Sequence, residues 1–412
     1  MDPQCAGPKA RSSKKDQDVV AETYQPPEKV SGIQRFGMGV AVVGVVGTLA
    51  GFLWQGQERF FQAYLVAYTF VFGIVLGSMA LLMVQHLSGG AWGVVIRRPL
   101  EAAVRTMPIM ALLFLPIAFG VPHIYHWSHA DVVANDPMLQ WKAPYLNTTA
   151  FYLRQVVFFL IWLAIGRMLT TWSAEQDRNP SPALMRKFAI LSGAGLVIYS
   201  LTVTFAMIDW TMSVNAHWFS TMWGPLYMVG QALSAMAFAI AIVILLSQSA
   251  PLNRIITVHH LHDLGKFLFA FLMLHAYLSF SQFLIIWSAN LAEEIPHYLV
   301  RWDSGYQYVS IFMILGHFVV PYAMLLSRNT KRSFQRLRLI ATWILFARVV
   351  DYYWHVAPEF HKEGLSIGVL DLFTPIAVGG VFLALFAANL RKYSLLPIND
   401  PGLAKALVHH VH

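Results

Sequence analysis

Charge is scarce in this chain. Asp, Glu, Lys and Arg make up 12% of its 412 residues, whereas apolar residues make up 57%. A soluble domain of this length cannot hide so much apolar surface, so the composition excludes an ordinary globular protein and points to a bilayer. Cysteine is nearly missing: Cys5 is the only one. One thiol excludes an intramolecular disulfide, a cysteine-held iron–sulfur cluster and a cysteine-based zinc site. It follows only MDPQ, with no apolar stretch that would make a lipoprotein signal. Residues 1–32 are polar and carry Lys and Pro, which predicts a flexible tail and not a signal peptide. The nucleotide-binding pattern GxxxxGK[ST] is absent, as is the Cys-x-x-Cys-His of attached haem. A dihaem b-type cytochrome needs two helices that each carry a spaced histidine pair. His262 and His275 form one such pair, and no second helix offers another. The spans also lack the dense histidine cluster of a haem–copper site. The chain is therefore expected to hold no cofactor or metal of its own.

What is present is a series of apolar runs. Ten are long enough to cross the hydrocarbon core as helix, at about 34–54, 60–86, 104–121, 149–171, 187–209, 223–247, 265–289, 306–326, 337–357 and 367–390. Pro108 and Pro116 interrupt the third, which membrane helices tolerate better than soluble ones. Residues 91–103 read as a short amphipathic helix lying at the surface. The net charge of +8 is a topology signal: with alternating spans, 23 of the 29 Lys and Arg residues fall on one side. That side is cytoplasmic and holds both termini. The excess of basic residues is thereby accounted for without nucleic acid.

The spans repeat. The second (63–85) and sixth (226–248) share a Tyr, a Val two residues on and a closing Gln at one spacing. The fourth and eighth share Tyr152 with Met168-Leu169 and Tyr308 with Met324-Leu325; the fifth and ninth end on Asp209-Trp210 and Asp351-Tyr352. Together these matches predict two four-helix bundles, spans 2–5 and 6–9, flanked by spans 1 and 10. A four-helix unit returns to its starting side, so the repeats run parallel and not inverted.

Ionisable residues stand where lipid should be. Asp209 lies 22 residues beyond Lys187, roughly 33 Å of helix and about one hydrocarbon thickness, which places it near the outer interface. Asp351 lies 13 residues beyond Arg338, roughly 20 Å, and so sits deeper. Arg348 and His355 share its helical face. A carboxylate inside a span costs about 2.5–3.5 kcal/mol, part of which a nearby Arg offsets. Two roles fit: a structural Arg–Asp pair that fixes packing, or a proton relay, since Asp and His change protonation where Arg does not. His275 and His317 fall mid-span on consecutive antiparallel helices, where they can meet or can simply be packed and hydrogen-bonded. Tyr199 and Gln282 add polar groups in the outer half. On the basic side, His86, Glu101 and Arg105 form either a path entry or a plain surface ion pair. His259, His260, His262 and Asp263 read as a solvated turn rather than a metal site. The stretch from Asp209 to Gly224 holds Trp210, Trp218 and Trp223 and no Lys or Arg, as expected of an outer loop with tryptophans at the headgroups.

Four stretches carry a resemblance: QHLSGGAWGVVIRRPLEAA (85–103), IDWTMSVNAHWFSTMWG (208–224), LGKFLFAFLMLHAYLSFSQFLIIWSANLAEEIPHYLVR (264–301) and VVDYYWHVAPEF (349–360). They resemble the ActF-type membrane subunit of bacterial alternative complex III, within the NrfD-like, polysulfide-reductase-membrane-subunit superfamily. The resemblance covers nearly everything beyond residue 30. It implies an all-α polytopic protein of the bacterial cytoplasmic membrane, with a ten-helix domain over 33–393 and a cytoplasmic C-terminal tail over 394–412. It further implies a quinol:electron-acceptor oxidoreductase complex in an electron-transfer chain. Haems and iron–sulfur clusters would reside in multihaem and monohaem cytochrome c subunits and an iron–sulfur protein. A sister NrfD-like subunit would hold the quinol, and this chain would carry no cofactor, support assembly and conduct protons. The chain departs from the family at His275, where an aromatic residue is usual.

The proton path expected on this reading runs from Glu101 past His317 and His275 to Arg348, Asp351 and His355, and leaves by Asp209. Three other readings stand beside it. The chain binds quinol itself near the outer face, with His126 or Asp209 as proton acceptor and Trp210, Trp218 and Trp223 as walls. It is a stand-alone secondary transporter, which would show an inverted repeat and paired broken helices. Or it is a scaffold that holds cytochromes in the membrane.

Overall fold

The computed structural model describes residues 24–400 and 402–403. Cys5 lies outside them. Among the described residues every regular element is helical. Eight segments are long and apolar enough to cross a membrane: Glu28–Ser88, Ala91–Phe119, Thr148–Arg178, Pro182–Trp210, Trp223–Leu246, Val258–Ala289, Tyr306–Leu326 and Val369–Leu390. The chain is an all-α, multi-pass membrane protein.

The first helix, α1 (Glu28–Ser88), begins inside the stretch expected to be tail. It spans 61 residues but is broken at Gly56, whose φ of 84° belongs to the left-handed region that glycine alone enters freely. After Gly89 and Gly90, α2 (Ala91–Val104) runs on. The interrupted third span becomes three short helices, α3 (Met107–Leu112), α4 (Leu115–Phe119) and α5 (Val121–Ile124), each with a proline in its first turn. Proline lacks the N–H that this position leaves unused anyway, so it starts a helix it cannot continue. Two short loop helices, α6 (Ala130–Ala134) and α7 (Pro137–Lys142), precede α8 (Thr148–Arg178). Asn147 caps α8 by accepting from Ala150 N at 2.8 Å, and Ser181 caps α9 (Pro182–Trp210) from Ala183 N at 3.2 Å.

Then follow α10 (Trp223–Leu246), α11 (Val258–Ala289), the loop helix α12 (Pro296–Trp302) and α13 (Tyr306–Phe312). A π-helical segment (Met313–Val319) joins α13 to α14 (Val320–Leu326). After one short turn, α15 (Arg328–Lys331), come α16 (Phe334–Phe360) and α17 (Val369–Leu390). α16 is long enough to cross a membrane, but its Arg and Asp residues set it apart from the eight apolar segments.

Two packing features organise these helices. The second half of α1 and helix α10 form the centre, and their side chains are buried nearly all round. At their crossing Gly77 is obligatory, because a Cβ there would lie 2.1 Å from Gln231 O. At the periphery the first half of α1 runs antiparallel to α17. A Cβ on Gly37 would lie 2.7 Å from Ala384 N, one on Gly44 2.3 Å from Ala377 N, and one on Gly380 2.4 Å from Ala41 N. Gly37, Gly44 and Gly51 recur every seven residues, so one seam of α1 faces α17 throughout. Small residues let membrane helices approach this closely, where van der Waals contact and not water expulsion drives association.

Three expectations need correction. α2 is not a surface-lying helix: residues 92–104 are all buried. Its charges are enclosed because each has a partner, Arg97 in Asp400 (2.5 Å) and Gln85 (2.9 Å), and Arg98 in Glu101 (2.7 Å) and Asp177. His259, His260, His262 and Asp263 form the opening turns of α11 and not a turn between helices; His260 Nδ1 lies 3.0 Å from the Thr257 hydroxyl at its start. Finally, Trp210, Trp218 and Trp223 do not face the headgroups. All three are buried, because each packs on internal aromatic or histidine rings.

Candidate functional site: an ionisable cluster between two cavities

α16 supplies Arg348, Asp351 and His355, three, then four residues apart and therefore on one face. All three are buried. α11 brings His275 and the π segment brings His317 to the same place, with ring centroids 5.2 Å apart, so the two mid-span histidines do meet. Arg348 is ion-paired with Asp351. Its Nη1 also donates to His275 Nε2 at 2.6 Å, and its Nε to Ser234 Oγ at 3.3 Å. A guanidinium only donates, so His275 Nε2 accepts and its proton sits on Nδ1. His355 Nδ1 lies 2.8 Å from Asp351 O, which only accepts, so that nitrogen carries hydrogen. The same Nδ1 is 3.5 Å from Asp351 Oδ1. Arg348 lies so close to α10 that a Cβ on Gly230 would come within 2.2 Å of its Nη2. The guanidinium therefore lies directly against the α10 backbone.

This cluster forms the polar end of a cavity of about 260 Å3. Phe280, Phe283, Trp287 and Ile314 wall its other end, and Phe280, Trp287 and Ile314 are themselves exposed on the apolar flank of the protein. His317 reaches the cavity from the π segment, and its Nε2 is buried without a hydrogen-bond partner. A π segment shifts the register of its side chains relative to an α-helix, and such segments concentrate at functional sites.

Arg301, from α12, closes the cavity on one side. It donates to His355 O at 2.8 Å, Trp354 O at 3.1 Å and His297 O at 2.5 Å, and is ion-paired with Glu359 at 2.9 Å. Glu359 also meets His297 Nδ1 at 3.1 Å and accepts from Asn215 Nδ2 at 2.9 Å. Beyond it opens a polar vestibule of about 750 Å3, lined by Glu359, Asp136, His126, His217, His361 and Lys362 among others. The Arg301–Glu359 pair is thus the partition between a cavity on the apolar flank and an aqueous vestibule. His297 stacks on Trp218, with centroids 4.0 Å apart. Burial first, and then the Arg301 charge, push its imidazole down to about 3, so it is neutral at physiological pH. Its second nitrogen, Nε2, is buried and unpartnered.

The remaining residues singled out from the sequence lie apart. Asp209 is fully buried within the protein. Arg154 forks onto it, Nε to Oδ2 at 2.8 Å and Nη2 to Oδ1 at 2.9 Å, and Gln155 donates at 2.8 Å. Trp210 donates to Gln155 and packs among Tyr68, Phe114 and Phe159. Neither Asp209 nor Trp210 borders the vestibule that holds His126, so these three do not form one pocket. The Asp209 and Asp351 clusters share no bonded partner. Glu101 is buried too, bonded to Arg98, to Ser173 Oγ at 2.5 Å and to Arg105 at 3.6 Å, and it touches neither His317 nor His275. Tyr199 donates to Gln231 at 2.8 Å, and Gln282 lines the cavity.

Sequence reasoning passed over Arg154, His297, Arg301 and Glu359. One signal was available: Arg154 and Arg301 belong to the six basic residues that fall on the side where basic residues are rare. Among the described residues no group of three or more His, Cys, Asp or Glu is placed to hold a metal ion. No protein-family model matches the chain, and no curated protein matches it.

Proposed function

We propose that this chain is the proton-handling membrane subunit of a quinol:electron-acceptor oxidoreductase in the bacterial cytoplasmic membrane, of the ActF-type its sequence resembles. On this reading α1 supplies two spans about Gly56 and α16 the charged ninth. That gives ten spans, in two parallel four-helix bundles with flanking helices, and both chain ends on the cytoplasmic side. Haem and iron–sulfur chemistry belongs to cytochrome and iron–sulfur partner subunits, and this chain contributes groups that hold and move protons.

The observation that carries the reading is the buried Arg348–Asp351–His275–His355 cluster, joined through Arg301 to Glu359 and the vestibule. Asp351 and the histidines accept and release protons, while Arg348 and Arg301 fix their orientation and keep the carboxylates ionised between transfers. The outward leg runs by Glu359, which opens on water, and not by Asp209, which Arg154 and Gln155 enclose. In the reconstituted complex, Asp351→Asn is expected to leave haem content intact and to lower the protons released per quinol oxidised. Unchanged stoichiometry and rate in an assembled variant would sink the proposal.

One observation favours a second reading. The cavity has apolar walls towards the flank and His317 Nε2, unpartnered, at its polar end. That suits a quinol ring that enters from lipid and hands its protons directly to His317 and the Asp351 cluster. A photoreactive quinone that labels Phe280 or Ile314 in this subunit supports it, and labelling confined to a sister subunit opposes it.

A further inference from the structure

A second cavity, of about 460 Å3, shares no lining residue with that site and lies between α8 and the α2–α3 junction, with Tyr393 at its edge. Its two ends differ in kind. Met107, Pro108, Leu163 and Gly166 make one end apolar. Arg178 makes the other basic, Arg167 and Arg105 line the stretch between, and Glu175 is the one acid in the lining. Arg167, Thr171, Ala174 and Arg178 follow one another at intervals of four, three and four, and Leu163 precedes them by four, so all five fall on one stripe of α8. From Leu163 to Arg178 the stripe is roughly 22 Å long.

The arginines differ in their commitments. Arg105 is engaged: its Nη2 donates to Thr170 O at 3.0 Å, and its guanidinium lies 3.7 Å over the Tyr393 ring. Arg167 and Arg178 are exposed and, among the described residues, make no hydrogen bond or ion pair. Glu175 is occupied by Asn179 Nδ2 at 2.8 Å. Two uncommitted guanidinium forks therefore stand along one stripe of the groove, Arg167 about 6 Å of rise from apolar Leu163 and Arg178 roughly 16 Å further on.

We infer that this groove binds an anionic phospholipid. The anionic headgroup lies along the stripe between Arg178 and Arg167, and an acyl chain runs on past Gly166 towards Leu163 and Met107. Guanidinium groups match phosphate oxygens in a two-pronged geometry. Basic pockets between membrane helices are the sequence-readable form of anionic-headgroup recognition. The apolar end selects against a soluble phosphate ion. The excess of arginine selects against a zwitterionic lipid, whose ammonium would face the same cations. Thr171 has its hydroxyl on this stripe, one turn from Arg167, and offers a neutral donor to the glycerol region.

The test uses the full chain in a neutral detergent, with binding of phosphatidylglycerol, cardiolipin and phosphatidylcholine followed by native mass spectrometry. Phosphatidylglycerol or cardiolipin is expected to bind, and phosphatidylcholine to bind at least tenfold more weakly. Arg167→Gln/Arg178→Gln should weaken the anionic lipid by about thirtyfold, each arginine near the membrane surface contributing separately. Both side chains are exposed and unbonded, so the variant keeps the fold. As a control, Arg328→Gln/Arg336→Gln removes the same charge from another helix junction and should leave binding within about twofold of wild type. Equal binding of phosphatidylcholine, an equal loss in the control, or displacement of the lipid by millimolar inorganic phosphate each overturns the inference.

Discussion

Asp351→Asn is the substitution whose cost the structure defines best. Arg348 and Asp351 are both within 5% of full burial at their side chains, and they pair directly. Asparagine keeps the shape and removes the charge. Arg348 then retains only neutral partners, His275 at 2.6 Å and Ser234 at 3.3 Å. Its guanidinium lies against α10 at Gly230, buried away from water. Breaking a buried pair from one side leaves an uncompensated charge, which costs about 3–5 kcal/mol. Removing both charges together, as Arg348→Met/Asp351→Asn, avoids that residue of charge and should return to within about 1 kcal/mol of wild type. The Arg59–Asp371 pair provides an internal contrast, since its side chains keep 11% and 10% exposure and the guanidinium also holds Ser366 O. Asp371→Asn should cost less than Asp351→Asn. Reversible unfolding of the three variants in mixed micelles of neutral detergent and SDS measures all three costs. If Asp351→Asn costs no more than Asp371→Asn, the cluster is hydrated and not desolvated. The reasoning from burial then fails.

Other outcomes follow from the same geometry. Gly44→Ala places its methyl 2.3 Å from Ala377 N, where backbone and not a flexible tip must move, and should destabilise by about 1–3 kcal/mol. Gly39→Ala, five residues earlier with nothing within 4 Å, should be neutral or stabilising by up to about 1 kcal/mol in the same unfolding assay. Glu359→Gln in the reconstituted complex should slow proton release about tenfold or more while Arg301 keeps its three backbone carbonyls; an unchanged rate removes Glu359 from the outlet. His297 gives a pH signature. Its folded value is held near 3, below the ordinary 6.5, so the unfolded chain takes up the proton first as pH falls. Its stabilisation is complete above about 6.5 and is lost on descending towards 3, at up to about 1.4 kcal/mol per pH unit. His297→Gln should flatten that slope in unfolding free energies measured between pH 6.5 and 4; an unaltered slope assigns it to other groups.

The helical, membrane-spanning class was legible because apolar runs of about twenty residues have few other uses. The break near residue 56 was legible as the gap between two runs, and Pro108 and Pro116 as points of fragmentation. The α16 face was legible because Arg348, Asp351 and His355 obey the helical period. Contacts with no period were not. α2 looks amphipathic along its own length, and its polar residues are neutralised by Asp400 and Asp177, hundreds and tens of residues away. Arg154 reaches Asp209 across 55 residues of chain, so counting rise along one helix placed the carboxylate along that helix but did not show the partner that encloses it. Glu359 and Arg301 flank loops, where burial is decided by how neighbouring helices end and not by any pattern in the loop itself.

The glycine seam between α1 and α17 has a consequence for biogenesis. The partner surface for the first transmembrane segment is encoded by the last, more than three hundred residues later. Until the ribosome has delivered that surface, the seam of Gly37, Gly44 and Gly51 faces lipid, a groove with nothing to fill it. The opening helix must therefore wait in the membrane for the closing one, and only a fully synthesised chain can latch shut.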